Sequence, residues 1–411
     1  MGHIAEVQSL RALTRDGRLL FSTRIVRLFA YGMLSVILAL YLVEVAGEQQ
    51  VGTVLSLTLL GDAAISLWIT TTADRLGRRR MLVVGAALMI AAGMTFAFST
   101  SLAVLLIAAI VGTISPSGNE VGPFLSIEQA ALSHITEGGK RTSIFAWYNL
   151  VGSLATATGA LAGGALAQGL RAAGLSSLDS YRVVLILYAL LGALLIILFS
   201  RMSGALEIAD VSPAARRFGL HRSRKVVFRL SGLFMLDAFA GGMVIQSFLA
   251  YWFHRRYGVD EAALGSIFFG ANILAGMSAL AAGRMANRFG LINTMVFTHI
   301  PSNILLILVP LMPNLGLAIL ALLIRFSISQ MDVPTRQSYT MAVVAPDERS
   351  AASGVTTIVR SIGAGLAQQV TGLLFAASLL SWPFFLAGGL KIVYDLALYR
   401  SFHALRPPEE Q

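Results

Sequence analysis

Twelve apolar runs, each about long enough to cross a bilayer as a helix, follow one another along this chain with short polar stretches between them. Inside a bilayer no water satisfies the backbone, so a spanning segment must be a helix or part of a closed barrel. Continuous apolar runs of this length are helices, because barrel strands alternate in polarity. The runs cover residues 25–45, 51–69, 81–98, 102–132, 144–166 and 181–199, then 226–253, 263–281, 292–311, 315–344, 355–380 and 382–399. Composition agrees: 56% of residues are hydrophobic and 13% charged, about half the charged fraction of a soluble protein. The expected class is an all-α, multi-pass integral membrane protein.

Charge sets the expected orientation. Between the second and third runs, Thr70 to Arg80 forms a short turn with four arginines, which places it on the cytoplasmic face. The formal net charge of +10 then follows from topology and attraction to anionic lipid, and no nucleic-acid partner is needed. The first run follows Arg11, Arg15, Arg18 and Arg24, carries Arg27 at its start and is long enough to span, so it reads as a retained helix. An even number of spans puts both termini in the cytoplasm. The polar, basic stretch 201–225 reads as a cytoplasmic linker between two six-helix domains, 1–200 and 226–411. Zero cysteines exclude disulfides and thiolate metal sites. The arginine-over-lysine usage points to a bacterial inner membrane.

The pattern Asp74-Arg75-x-Gly77-Arg78-Arg79 resembles the loop between the second and third helices of major facilitator superfamily transporters, with Thr70 where that family usually has glycine. A second copy, Gly283 to Gly290, has the glycine, with Asn287 in place of the acid and Arg288 beside it. Two more echoes lie in register: Phe29 to Met33 with Phe239 to Met243, and Lys140 to Ser143 with Glu348 to Ala351. They indicate duplicated halves. In the fifth run, Gly159, Gly163 and Gly164 resemble the end of a motif typical of the family's antiporters. Those glycines also fit plain helix packing against the other domain. The resemblance implies twelve helices in two pseudo-symmetric six-helix bundles, alternating access, a monomer and no cofactor. It also implies that Asp74, Arg75, Gly77 and Arg78 serve as a gating latch.

Ionisable groups within spans are costly, by about 2.5–3.5 kcal/mol each on insertion scales, so each needs a reason. The fourth run is the most unusual, since Ser115 to Pro123 sets two prolines and two glycines near mid-membrane. Proline removes a donor and clashes with the preceding turn. A broken fourth helix carrying Asn119 and Glu120 is therefore expected, with Glu120 in contact with substrate or proton, or else hydrogen-bonded in the domain core. Asp237 in the seventh run is either a proton-coupling group or a structural partner of Arg360. Arg325 in the tenth run either opposes Asp237 or attracts an anionic substrate. Asp62 has no evident partner in the sequence. Glu128, Asp332 and Arg336 are expected in charge networks with the loop arginines. Lys391 and Asp395, four apart, suffice for an intrahelical ion pair. His134, His254 and His299 read as interfacial or packed residues, and no metal site is expected.

No nucleotide-binding loop or enzyme signature is present. The expected function is secondary active transport, most simply proton-coupled export of a small organic solute. A proton-coupled importer or uniporter is the alternative, and a transport-dead sensor or lipid scramblase on the same scaffold is a further one.

Overall fold

The computed structural model describes residues 14–120, 124–135, 141–203, 222–345 and 348–402. Most of the expected linker, 204–221, lies outside these, as do Pro123 and Lys140. Among the described residues the chain is all-α. The helices are α1 (Arg15–Ala46), α2 (Glu48–Leu76), α3 (Arg78–Phe98), α4 (Leu102–Val111), α5 (Phe124–Ile135), α6 (Arg141–Ala172) and α7 (Ser177–Ser200). They continue with α8 (Arg224–Gly242), α9 (Gln246–Tyr257), α10 (Glu261–Phe289), α11 (Leu291–Leu308), α12 (Leu315–Phe326), α13 (Asp332–Val343), α14 (Arg349–Ala376) and α15 (Trp382–Phe402). Eight helical stretches are long and apolar enough to cross a membrane.

These helices make twelve spans because three of the spans are split. The fourth is α4 and α5, the seventh α8 and α9, the tenth α12 and α13. The expected break in the fourth span is present: residues 112–120 are non-helical, with Gly118 at φ 71°. Backbone carbonyls freed at that depth must find donors. Tyr188 donates to the Thr113 carbonyl at 2.5 Å, Ser115 to that of Asn119 at 2.7 Å and Thr156 to that of Gly118 at 3.2 Å.

The arginine-rich stretch at 70–80 is tighter than a charged turn. Helix α2 runs through Leu76 and α3 starts at Arg78, so the chain reverses at Gly77 alone, with φ 100°. A side chain is strained in that conformation and glycine is not. Gly290, φ 84°, does the same between α10 and α11.

The chain divides into two compact units. Unit 1 comprises Met1–Gly47, Leu57–Val211 and Phe253–Phe269, and unit 2 comprises Glu48–Ser56, Ser212–Trp252 and Gly270–Gln411. In unit 1, α1 packs on α6 and α3 on α7; in unit 2, α8 packs on α14 and α11 on α15. The pairing is the same in both when spans are counted from the start of each half.

Small residues allow the α1–α6 approach. A Cβ at Gly159 would strike the Phe29 carbonyl, one at Gly163 would strike Met33, and one at Gly32 the Thr156 backbone. Gly159 and Gly163 thus pack within unit 1, and so does Gly164, which lies against Glu261 and Gly265 in the part of α10 that belongs to the same unit. Gly159→Ala is expected to cost about 1–3 kcal/mol, since rigid backbone must give way. Gly169→Ala, on the same helix with open space around it, should cost nothing comparable. Melting temperatures in detergent compare the two, and equal values would refute the packing role.

Candidate functional site

Each unit buries one cluster of charges built on its split helices. In unit 1, α1 presents Thr23, Arg24 and Arg27, the two ends of this set one helical turn apart and so on one face. The split fourth span supplies Glu120 from its non-helical stretch and Glu128 from α5. Arg27 forks onto Glu128 through two bonds of 2.7 Å and reaches Glu120 at 3.0 and 3.2 Å. Arg24 bonds Glu120 at 2.5 Å and Asn149 at 3.2 Å, and its guanidinium lies 4.2 Å over the Tyr148 ring. Glu128 also accepts from Thr23 at 2.9 Å and from the Tyr148 hydroxyl. Two arginines thus face two glutamates. Arg27 and Glu128 are sealed from solvent, while the Glu120 side chain stays 15% exposed.

In unit 2 the centre is Asp237 on α8. Its carboxylate accepts from Lys391 at 2.6 Å, Arg336 at 2.9 Å and Arg360 at 3.0 Å. Arg336 also bonds Asp332, one turn earlier on α13, at 2.9 Å. Asp237, Arg336 and Lys391 are buried, and the Arg360 side chain is 31% exposed. Next to this group, Asp395 accepts from Asn303 at 2.9 Å and meets His299 Nδ1 at 2.8 Å.

The two clusters are related by the internal repeat, with the signs exchanged. Arg27 stands two residues before Phe29, and Asp237 two before Phe239. Glu128 stands twelve before Lys140, and Arg336 twelve before Glu348. Unit 1 therefore joins its first and fourth spans by Arg27–Glu128, and unit 2 joins the matching spans by Asp237–Arg336. At position 152 a Cβ would meet the Arg24 guanidinium.

Several expectations change on this geometry. Asp237 takes the pairing with Arg360 and two further cations. Lys391 and Asp395 do not pair along their helix, because Lys391 turns to Asp237 while His299 and Asn303 hold Asp395. Glu128, Asp332 and Arg336 do form charge networks, and among the described residues their charged partners are residues of the spans, not the loop arginines. Arg325 does not bond Asp237; it is buried, with its guanidinium 5.1 Å over the Phe326 ring. Asp62 is buried in α2, within electrostatic range of Tyr31 and Tyr188. Asn119 is exposed, and its backbone N–H donates to the Ser117 hydroxyl. Of the loop residues, Arg78 is buried, Arg79 donates to the Met202 carbonyl at 3.1 Å and Arg288 lies 5.2 Å over Phe289. The side chains of Asp74 and Arg75 lie outside the described residues. Arg24 and Arg27 went unrecognised in the sequence because they read as part of the basic N-terminal flank. The register of Phe29 against Phe239, which sets Arg27 opposite Asp237, was the signal for one of them.

The model of the Major Facilitator Superfamily matches residues 20–368. The chain belongs to the major facilitator superfamily. An uncharacterized membrane protein of Saccharomyces cerevisiae is 31% identical over 421 residues, covering 94% of each chain. In fold, this superfamily member is similar to a mutant of the nucleoside transporter NupG, with a TM-score of 0.77 at 13% identity over 94% of this chain and 100% of that one. It is similar also to the xylose transporter XylE from E. coli in a partially occluded inward-open conformation, with a TM-score of 0.72 at 14% identity over 96% and 98%. Twelve spans in two six-helix bundles are the superfamily's architecture.

Proposed function

We propose that the protein is a secondary active transporter that exports a small organic solute in exchange for protons, working by alternating access. Glu120 is the observation that carries the reading. Its carboxylate sits on the non-helical stretch of a split span, partly exposed, and is shared between Arg24 and Arg27. A proton arriving there neutralises one member of the shared set and frees an arginine to move. A cluster that changes partners on protonation gives the fourth span two arrangements, which is what alternating access needs. Asp237, enclosed by three cations, serves as an anchor in this scheme and not as the proton carrier. Outward direction rests on the likeness of Gly159 to Gly164 to the antiporter motif, and a bacterial plasma membrane with both termini inside rests on charge and composition.

Glu120→Gln is expected to abolish gradient-driven flux while leaving a folded protein. The check is a pH-sensitive dye trapped in proteoliposomes, with cationic, neutral and anionic solutes added in turn. Proton movement on addition of one solute, lost in the variant, supports coupling through Glu120. Coupled flux unchanged in Glu120→Gln would sink that role, and solute flux without proton movement would make the protein a uniporter.

A further inference from the structure

The basic side chains within the spans of unit 2 do not share its carboxylates evenly. They are Arg325, Arg336, Arg360 and Lys391. Three of the four cations bond Asp237, and the fourth bonds no carboxylate among the described residues. That fourth is Arg325, at the C-terminal end of α12, where the tenth span loses its helix. It is 8% exposed, it lies within electrostatic range of Asp332, whose carboxylate is held by Arg336, and its Nε has no hydrogen-bond partner. Stacking on Phe326 satisfies the face of the guanidinium, not its N–H groups. Four residues on, in the break itself, Ser329 is also buried, with its hydroxyl unpartnered.

A buried guanidinium with an unmet donor is among the costliest groups a membrane span can keep. Carboxylates and phosphates are what such a group binds well, through charge-assisted and often paired hydrogen bonds. The buried hydroxyl of Ser329, four residues on, offers a further unpartnered donor. We infer that Arg325 and Ser329, at the break of the tenth span, form the anion-binding part of the substrate site, so that the transported solute carries a carboxylate or phosphate group. The inference rests on the transport reading above and names its substrate class.

The test uses melting temperature in an uncharged detergent, which needs no flux and therefore fails or succeeds separately from the dye assay. Arg325→Met removes an uncompensated charge, so without added anion its melting temperature should exceed that of the unmodified protein. Acetate, benzoate, inorganic phosphate and glycerol phosphate are then added, with ethanolamine and glycerol as controls. At least one anion should raise the melting temperature of the unmodified protein and not that of Arg325→Met. Ser329→Ala should fold normally and show a weakened response to the same anion. A lower melting temperature for Arg325→Met without anion would overturn the inference, because it would show that the arginine has a structural partner. Failure of every anion to separate the two proteins would overturn it as well. A response to phosphatidylglycerol with none to the soluble anions would also overturn it, assigning the site to lipid.

Discussion

Asp237→Asn is expected to destabilise the protein by about 3–5 kcal/mol, the range for breaking a buried ion pair from one side. The carboxylate bonds three cations at once, from α13, α14 and α15. Asparagine keeps the shape and one acceptor oxygen but removes the charge. Arg336 retains Asp332, so the loss falls mainly on Lys391 and Arg360. Lys391, the more buried of the two, has the greater desolvation to bear. Denaturant unfolding in mixed micelles measures the effect, and Lys391→Met added to Asp237→Asn should recover part of it by removing the stranded charge. Neither change altering the midpoint would mean that the cluster contributes nothing to folding.

Arg27→Met is expected to cost a similar amount, about 3–5 kcal/mol, by the same physics with the signs reversed. Arg27 is fully buried and makes two bonds to each of Glu120 and Glu128. With it gone, Glu120 keeps Arg24, but Glu128 keeps, among the described residues, only the hydroxyl donors Thr23 and Tyr148 against a full negative charge. Adding Glu128→Gln should therefore return much of the lost stability. A double variant no more stable than Arg27→Met alone would show that the two residues do not act as a pair. Both variants are also expected to be inactive in flux, because Glu120 loses one of the two arginines between which it is shared.

The architecture was legible in the sequence because membrane spans are local: each announces itself by an apolar run, and lipid permits one solution for its backbone. The break at Ser115 to Pro123 was legible for the same reason, since proline and glycine act on their own turn. The clusters were not. Arg27 lies at the edge of a basic flank, and hydropathy cannot distinguish a charge that stays in the headgroups from one drawn under the helix ends. Lys391 and Asp395 satisfy the spacing rule for an intrahelical pair, yet the partners that win come from α8 and α11, and nothing in one sequence ranks a long-range contact against a neighbour. That Arg325 bonds no carboxylate among the described residues is a property of what does not surround it, which no linear pattern records.

The exchange of sign between Arg27–Glu128 and Asp237–Arg336 bears on how two copies of one half can diverge. A lone ion pair cannot invert one residue at a time, since every route passes through like charges or a charge facing a neutral group. Each cluster here has at least four ionised members, and in each one carboxylate, Glu120 or Asp237, has more than one charged partner. A substitution that strands a charge in such a set can be met by a neighbour already within reach, as Arg24 reaches Glu120. Redundancy of partners thus gives the lineage a passable path between opposite polarities at the same place in the fold.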